Sequence, residues 1–393
     1  MDISYIPTKS CFVVAGSDVV SIIYNSNHIT LPNEWVVDGI DNIAVNKVTS
    51  KLAFASKRKI SIVEVPDISK INENLSLAET NLERNCSTLS WSEDGDELIA
   101  GDKSGGVWLV YKGGKIFDIP APLASRVAMT LSVHLIGDSS KKFLAVGDRD
   151  ARLSVFHYPA CHNLHSVCLG HSQYISDMAT ISRGSFKQVI TLGGDGKVCL
   201  WDILSGKLLA YLNLFTEGEN ISCRNRPKKL YLLTTTLGKC GCQSNEYLVS
   251  CENSGDLYSF TLTLHDNCED KTKELMMNSD RHNLLNPILK SDTNKVICGC
   301  EVIRSDPSPI LAVAVFDGSD VSWALTTDNT DKSNLEEYST QLKLVQNVKF
   351  SPRSARLWLE KNPRPNVAEY IAKRKKTALM SLNEGNSSDE SDN

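Results

Sequence analysis

The 393-residue sequence contains no apolar run that approaches the roughly 18 residues needed for a membrane-spanning helix. Its first residues, Met1 to Gly16, lack a basic stretch followed by an apolar core, which predicts that no secretory signal peptide is present. The 12 cysteines are scattered and form no disulfide framework, as is typical of thiols in a reducing compartment. These absences predict a cytosolic or nuclear protein with no membrane partner.

Basic residues are not in excess either. Lys and Arg total 42 against 47 for Asp and Glu, and the formal net charge is -5. Binding to free nucleic acid by bulk charge requires the opposite balance, because Lys and Arg neutralise the phosphates. Any contact with nucleic acid is therefore expected to be local or shared with a more basic partner.

Helical periodicity is nearly absent before residue 350, and short runs rich in Val, Ile and Leu recur instead. A turn of Gly, Asp, Ser or Asn separates the runs within each copy, and the copies span residues 89–111, 143–156 and 189–202, with weaker ones at 43–65, 231–262 and 296–350. The turn residues Asp102, Asp148 and Asp195 are 46 and 47 residues apart. A period in the forties with several strands per unit is typical of β-propeller blades.

The copy at 189–202 also has Gly170-His171 before it and Trp201-Asp202 at its end. In WD40 repeats a loop His, a turn Asp, a Ser or Thr on the second strand and a Trp on the third form a buried hydrogen-bond chain. The matching residues are His171, Asp195, Thr191 and Trp201. A catalytic His–Asp pair is the other interpretation, but the repeat pattern accounts for all four residues, and buried polar groups need partners whatever the function. We predict an all-β, WD40-type β-propeller.

Seven blades are predicted over residues 1–350, with six or eight as the alternatives. The segment from Cys11 to Tyr24 is expected to add strands to the last blade and so close the ring, which removes exposed sheet edges. The polar residues 264–294 are expected to form an insertion between strands or a mobile loop.

The end of the chain has a different composition. Residues 351–383 predict a basic helical segment, because Asn366 and Glu369 have the spacing of a capping box. Residues 384–393 are rich in Ser, Asp and Glu and predict a disordered acidic tail.

Motifs for cofactors and metals are weak. Residues 193–196 (Gly-Gly-Asp-Gly) lack the Lys-Ser/Thr and the following helix of a phosphate-binding loop, so they predict a β-turn. No strand–Gly-x-Gly–helix unit is present for binding a nucleotide or S-adenosylmethionine. The pairs Cys240/Cys242 and Cys298/Cys300 could together supply four thiolates to zinc, but their spacing favours free thiols.

Two charged clusters allow more than one interpretation. Arg149, Asp150 and Arg152 lie in a tight turn, where they are either solvated or a docking site for a partner protein. The basic cluster is a solvated helix face, a nuclear-import signal or a phosphate-contacting surface. Its members are Lys373, Arg374, Lys375 and Lys376.

Residues 143–202 carry a resemblance to a known family. Leu144–Asp150, His165–Ser176 and Gly193–Asp202 resemble the non-catalytic WD-repeat subunit of tRNA (guanine-N7-)methyltransferase, the Wuho-type family. The match is closer than generic WD40 spacing. The basic C-terminal segment from Leu357 to Lys376 is also similar to that of the family.

The resemblance implies a scaffold subunit that is not itself an enzyme. The nucleus is the expected location, with the cytoplasm as a second location. The partner of the scaffold would be a Rossmann-like catalytic subunit, which binds S-adenosylmethionine and methylates N7 of a guanine in tRNA. This chain would bind no cofactor and would contact tRNA mainly through the complex. The docking residues of the family map onto Arg149, Asp150 and Arg152, but Ala151 and Ser154 replace residues that tend to be acidic and basic in the family.

Two other classes of function are open to a propeller. A WD40 adaptor could act as a substrate receptor in a ubiquitin-ligase complex or as a chromatin scaffold. Such ligase receptors often carry Trp-Asp-x-Arg, whereas Leu204 stands at the last position here. An intrinsic enzyme would need convergent acid, base or metal groups, which the sequence does not supply.

Overall fold

A computed structural model describes fifteen segments of the chain. These are residues 2–16, 18–24, 27–36, 39–70, 75–125, 128–137, 141–183, 186–215, 226–237, 243–251, 257–264, 277–282, 296–303, 310–316 and 321–326. The chain divides into two compact units, Met1–Leu357 and Trp358–Asn393, and all described residues lie in the first. The predicted C-terminal helix and acidic tail lie outside the described residues.

The described residues form antiparallel sheets of consecutive strands. Sheet 1 contains β1 (Asp2–Ile6), β2 (Cys11–Ala15), β3 (Val20–Ile23) and β4 (His28–Thr30). Sheet 2 contains β5 (Asn42–Asn46), β6 (Lys51–Ser56), β7 (Lys59–Glu64) and β8 (Leu77–Asn81). Sheet 3 contains β9 (Cys86–Trp91), β10 (Glu97–Asp102), β11 (Gly106–Lys112) and β12 (Lys115–Ser125).

The remaining sheets continue the same order along the chain. Sheet 4 contains β13 (Thr130–Gly137), β14 (Lys142–Asp148), β15 (Arg152–Tyr158) and β16 (Leu164–Leu169). Sheet 5 contains β17 (Ile175–Arg183), β18 (Phe186–Gly193), β19 (Lys197–Asp202) and β20 (Lys207–Asn213). Sheet 6 contains β21 (Pro227–Leu237), β22 (Gln243–Cys251), β23 (Leu257–Leu264) and β24 (Met277–His282), and sheet 7 contains β25 (Val296–Ile303), β26 (Ile310–Phe316) and β27 (Val321–Thr326).

The sheets are arranged in a ring with the first strand of each sheet innermost. Each first strand lies against the first strand of the next sheet, and β25 of sheet 7 lies against β1 of sheet 1. The predicted all-β propeller is therefore confirmed. Six sheets are complete four-stranded blades, where the sequence predicted seven, and the seventh sheet has three strands among the described residues.

Strands in the middle of a sheet are apolar on both faces, because each sheet packs between two others. In β14, Phe143 and Ala145 join the core shared with sheet 5, while Leu144 and Val146 join the core shared with sheet 3. All four side chains are fully buried. This double burial explains why the strands read as continuous apolar runs rather than alternating patterns.

Two expectations about strand placement were wrong. The Cys11–Tyr24 segment does not join the last blade, because β2 and β3 pair along their lengths with β1 and β4 in a local meander. Residues 264–294 are not only an insertion, because β24 pairs with β23 from Leu257↔His282 to Leu262↔Met277 and supplies the fourth strand of sheet 6.

Helices are nearly absent from the described residues. Three short 3₁₀ turns occur at Pro7–Lys9, Asn33–Trp35 and Ile68–Lys70. Within the described ranges, no helix combines the length and the apolar character that crossing a membrane would require.

Sheets 3 and 4 are joined by a buried carboxylate. The Glu97 side chain is 2% exposed, and it accepts hydrogen bonds from Lys112 Nζ at 2.7 Å, Tyr158 Oη at 2.6 Å and Lys142 Nζ at 3.2 Å. Burial acts to raise the pKa of Glu97, but the three hydrogen bonds outweigh it and hold the pKa below the ordinary 4.5. The ionised carboxylate therefore holds the base of β14 against sheet 3.

Glu97→Gln is expected to lower the free energy of unfolding by about 1–3 kcal/mol at pH 7, because charge-assisted hydrogen bonds are lost. A carboxyl group whose pKa is lowered by folding stabilises the protein above its unfolded pKa, and that stabilisation is lost as the pH falls through the folded value. The difference between the two proteins in urea midpoint should therefore shrink as the pH is lowered below 4.5. A difference that stays constant with pH would contradict this assignment.

Candidate functional site

The turns between the second and third strands of sheets 3, 4 and 5 share one backbone geometry. The preceding strands end at Asp102, Asp148 and Gly193, and the following strands begin four residues later. In each turn the N–H at the third position after the strand end donates to the carbonyl of that end residue. The donor residue has a positive φ in every case: 95° at Gly105, 68° at Ala151 and 76° at Gly196.

This geometry corrects the alignment of the repeats. The residue of sheet 5 that is equivalent to Asp102 and Asp148 is Gly193, so the spacings are 46 and 45 residues. Asp195 is equivalent to Asp150 instead. The correct spacings are also obtained from the sequence when the repeats are aligned on the first residue of the strand after the turn, which is Gly106, Arg152 or Lys197.

The structure brings the four predicted WD40 residues together in sheet 5, and we call them the tetrad. Trp201 Nε1 lies 2.7 Å from Thr191 Oγ1, Thr191 Oγ1 lies 2.7 Å from His171 Nε2, and His171 Nδ1 lies 3.0 Å from Asp195 Oδ1. Thr191 is fully buried and Trp201 is 1% exposed. The chain of contacts joins the loop after β16, the turn after β18 and the strands β18 and β19.

Only one set of proton positions satisfies every member with a neutral His. The indole can only donate, so Thr191 Oγ1 accepts from Trp201. The Thr191 hydroxyl then donates to His171 Nε2, and Nδ1–H donates to Asp195. Because Thr191 is fully buried and its Oγ1 already accepts from the Trp201 indole, the hydroxyl that faces His171 is closed to a substrate.

The Asp195 carboxylate also fixes the surrounding backbone. Its Oδ2 accepts from Ser172 N at 2.7 Å, and its Oδ1 accepts from Lys197 N at 3.1 Å. Burial acts to raise the pKa of Asp195, but the His171 hydrogen bond and these N–H donors together lower it. Asp195 therefore stays ionised and ties the loop between sheets 4 and 5 to the β18–β19 turn.

The second predicted site is the turn Arg149–Arg152, which we call the sheet-4 turn. Arg152 Nη2 donates to Asp150 Oδ2 at 2.8 Å, and the side chains of these two residues are 38% and 36% exposed. Arg149 is half-buried, and its N–H donates to the carbonyl of Met129. Because Val146 and Phe156 occupy the positions of Thr191 and Trp201, the tetrad has no counterpart here and Asp150 faces Arg152 instead.

The buried aspartate beneath this turn differs from its counterpart in sheet 3. Burial raises the pKa of Asp148. The Arg152 N–H donates to Asp148 Oδ1 at 3.0 Å and offsets part of this increase. Asp102 is also buried, but donors including Trp108 Nε1 at 2.8 Å and Ser104 Oγ at 2.8 Å hold its pKa below the usual range.

Ser154 of sheet 4 occupies the position that Trp108 holds in sheet 3. It is 1% exposed, and its hydroxyl has no hydrogen-bond partner among the described residues. Ser154 therefore supplies neither an indole donor to Asp148 nor a surface charge, which leaves the exposed charges of the sheet-4 turn to Arg149, Asp150 and Arg152.

Ala151→Gly is expected to raise the free energy of unfolding by about 0.5–1 kcal/mol, because a positive φ costs an L-residue energy that glycine avoids. Denaturant midpoints of the two proteins test this. The same substitution at Ala145, which is fully buried in the regular strand β14, is the control and should lower stability. Equal destabilisation by both substitutions would show that the positive φ of Ala151 does not strain the turn.

Other predicted sites fall partly or wholly outside the described residues. The cluster of Lys373, Arg374, Lys375 and Lys376 lies there, as do Cys240 and Cys242. Cys300 is described and is 2% exposed. No group of three or more metal-ligating side chains occurs in the part of the chain that the structure describes.

A family model matches the part of the chain that contains both sites. Residues 121–309 match the family described as the tRNA methyltransferase TRM82 WD40 domain. Among solved structures, a chain of "Crystal Structure of Mitotic Checkpoint Complex" aligns with a TM-score of 0.57 at 12% identity, covering 82% of this chain and 85% of that chain. At this identity the structural likeness indicates a shared fold only.

Curated relatives carry names of one kind. The chain is 25% identical over 186 residues to the Xenopus laevis "tRNA (guanine-N(7)-)-methyltransferase non-catalytic subunit wdr4", covering 46% of this chain and 44% of the relative. It is 26% identical over 235 residues to the Dictyostelium discoideum wdr4 protein of the same title, covering 56% and 48%. It is 28% identical over 180 residues to Saccharomyces cerevisiae TRM82, covering 44% and 39%. The matched region spans about half the length of these curated relatives.

Proposed function

We propose that this chain is the non-catalytic scaffold subunit of a tRNA (guanine-N7-)methyltransferase, because residues 121–309 match the family described as the tRNA methyltransferase TRM82 WD40 domain. In this role it binds and stabilises a catalytic subunit that forms N7-methylguanosine in tRNA. The main support for the proposal is that the region matched by the family model contains both the charged sheet-4 turn and the neighbouring tetrad.

The sheet-4 turn is proposed as the docking site for the catalytic subunit. Rigid turns present charge in a fixed register, which favours specific pairing over nonspecific attraction. Two backbone hydrogen bonds hold this turn in place. The Arg152 N–H donates to the Asp148 carboxylate, and the Arg149 N–H donates to the Met129 carbonyl. The partly exposed charges of Arg149, Asp150 and Arg152 can therefore pair with opposite charges without a large ordering cost.

Catalysis and cofactor binding are assigned to the partner. His171 contacts the hydroxyl of Thr191, which is fully buried and also bonded to Trp201, so the His171–Asp195 pair supports a structural role. S-adenosylmethionine would be bound by the catalytic subunit, and this chain would bind no cofactor.

Contact with tRNA is proposed to occur mainly through the complex, in the nucleus. The net charge of -5 favours a more basic partner as the main source of phosphate contacts. The cluster Lys373–Lys376 is proposed to serve nuclear import or local phosphate contact.

The ring is proposed to have seven blades. The first strands of all seven sheets succeed one another around the ring, and β25 meets β1. A closed ring removes the exposed inner edge that an open array would carry.

Co-purification with the catalytic subunit of the same organism tests the proposal. The two chains are expected to elute as a stoichiometric complex after co-expression. Purification instead with ubiquitin-ligase or chromatin components, and no complex with the methyltransferase, would overturn the scaffold role and favour the adaptor class.

A further inference from the structure

Cations are concentrated in the connections of sheets 2 and 3, next to the sheet-4 turn. The turns 57–58 and 103–105 join the second and third strands of these two sheets, and the loop 82–85 joins one sheet to the other. These nine residues carry one exposed carboxylate, Glu83, and four exposed cations, which we call the basic rim. The basic rim consists of Lys57, Arg58, Arg84 and Lys103. Its charge contrasts with the net charge of -5 of the whole chain.

Backbone hydrogen bonds hold the three segments of the basic rim together. The Leu82 N–H donates to the Arg58 carbonyl at 2.9 Å, which ties the loop to the turn of sheet 2. The Lys103 N–H donates to the Asn85 carbonyl at 2.9 Å, which ties the same loop to the turn of sheet 3. Arg84 lies between these two bonds. Because the backbone beneath the cations is already fixed, the ordering cost of binding a ligand is low.

The basic rim is continuous with the sheet-4 turn. The Arg149 N–H donates to the Met129 carbonyl at 3.0 Å, and the carbonyl of the next residue, Thr130, accepts from Ser87 Oγ at 2.5 Å. Ser87 lies near the start of β9, which follows the loop 82–85. A ligand held by a subunit that is docked at the sheet-4 turn can therefore reach the basic rim.

One turn position is basic in three successive sheets. Lys57, Lys103 and Arg149 directly follow the last residue of the second strand in sheets 2, 3 and 4, whereas Gly194 has this position in sheet 5. Packed sheets lie about 10 Å apart, so this row of cations extends over about 20 Å. Phosphates of one nucleic-acid strand follow one another about every 3.4 Å along the helix axis, so the row spans several of them.

The composition of the basic rim favours phosphates over a protein surface as its ligand. Arg58, Arg84 and Lys103 form no ion pair with any residue in the described part of the chain. None of the large hydrophobic residues that are exposed in the described ranges falls within the three segments. Protein interfaces are anchored by apolar and aromatic side chains at their centre, whereas contacts to a nucleic-acid backbone are made mainly by Lys and Arg.

We infer that the basic rim binds the phosphate backbone of the tRNA that the docked catalytic subunit holds. The inference rests on the proposed function and extends it, because it gives this chain a direct and local contact with the substrate. Phosphate contacts fix the position of a nucleic acid and carry no sequence information. The basic rim would therefore orient the tRNA without selecting it.

Binding of labelled tRNA to the preformed complex of the full chain and the catalytic subunit tests the inference, with fluorescence anisotropy measured at several salt concentrations. Arg58→Glu/Arg84→Glu is expected to weaken tRNA binding at least fivefold at low salt, because phosphate contacts are replaced by repulsion. Each lost contact should also reduce the slope of log affinity against log salt concentration by roughly 0.7–0.9.

Lys115→Glu/Lys207→Glu is the matched control and makes the same change in net charge. Lys115 and Lys207 are exposed and begin β12 and β20, at turns between the third and fourth strands, which lie at the opposite end of their sheets from the basic rim. This variant should bind tRNA within twofold of the unaltered complex.

Lysine acetylation of the unaltered complex gives a readout that needs no variant. Bound tRNA is expected to protect Lys57 and Lys103 from an acetylating reagent, as measured by mass spectrometry. Lys115 and Lys207 should stay as reactive as they are in the complex without tRNA.

The outcomes separate this inference from the proposed function. Equal weakening by the two double variants, or unprotected Lys57 and Lys103, overturns the inference but leaves the scaffold role intact. If Arg58→Glu/Arg84→Glu instead loses affinity for the catalytic subunit in the absence of tRNA, the basic rim is a protein contact and the inference is overturned. Failure of the unaltered chain to bind the catalytic subunit overturns the proposed function, and the inference with it.

Discussion

Replacing Thr191 by valine is expected to lower the free energy of unfolding by about 2–4 kcal/mol, although the two side chains have nearly the same shape. The hydroxyl accepts from Trp201 Nε1 and faces His171 Nε2, each at 2.7 Å. Valine would leave both nitrogens buried without a partner, and each unsatisfied buried group costs about 1–3 kcal/mol. Urea denaturation followed by tryptophan fluorescence measures the loss.

Thr180→Val provides the matched control for this prediction. Thr180 Oγ1 donates to Glu93 at 2.6 Å in a solvent-exposed position, so water can replace the lost partner. The control should cost less than about 1 kcal/mol. Equal losses from the two substitutions would show that the tetrad does not stabilise sheet 5 through its hydrogen bonds.

Reversing the charge of Arg149 or Arg152 is expected to weaken binding of the catalytic subunit on the order of 10–100-fold. Arg152 is 38% exposed and bonded to Asp150, so its reversal also places two like charges side by side. Because the pairs are partly solvated, the loss should be smaller at high salt. Calorimetric titrations of Arg149→Glu and Arg152→Glu at low and high ionic strength measure both effects.

Lys103→Glu is the control for Arg149→Glu, because Lys103 holds the same position in the equivalent turn of sheet 3. It makes the same change in net charge. If docking uses the sheet-4 turn, only Arg149→Glu should weaken the complex. Equal weakening by both would indicate that bulk charge, rather than this turn, governs association.

Most of the fold could be predicted from local patterns in the sequence. Short apolar runs between turn residues predicted the strands of sheets 2 to 6, and the spacing of His171 and Trp201 predicted the hydrogen-bond chain that the structure contains. These features are readable because each depends on neighbouring residues or on one repeat. The register of the repeats was less readable, because an Asp in the turn occurs at two different positions, as Asp148 and Asp150 show.

Features that depend on contacts between residues far apart in the sequence could not be predicted. The Cys11–Tyr24 strands have the same pattern whichever sheet they join, so their pairing with β1 and β4 is decided by packing. Glu97 meets Lys142 across 45 residues, and no local signal marks that contact. Leu169 and Leu208 look like core residues in the sequence, because an apolar edge strand has the same composition as a buried one.

The scaffold role is tested by measuring methyl transfer to tRNA by the catalytic subunit, with and without this chain. Purified catalytic subunit and the full chain would be mixed in equal amounts, and N7-methylguanosine in tRNA would be quantified over time and after preincubation at the growth temperature. We expect that the chain alone gives no product and that it raises the activity or the lifetime of the catalytic subunit. Equal product formation and equal lifetime with and without the chain would contradict the scaffold role.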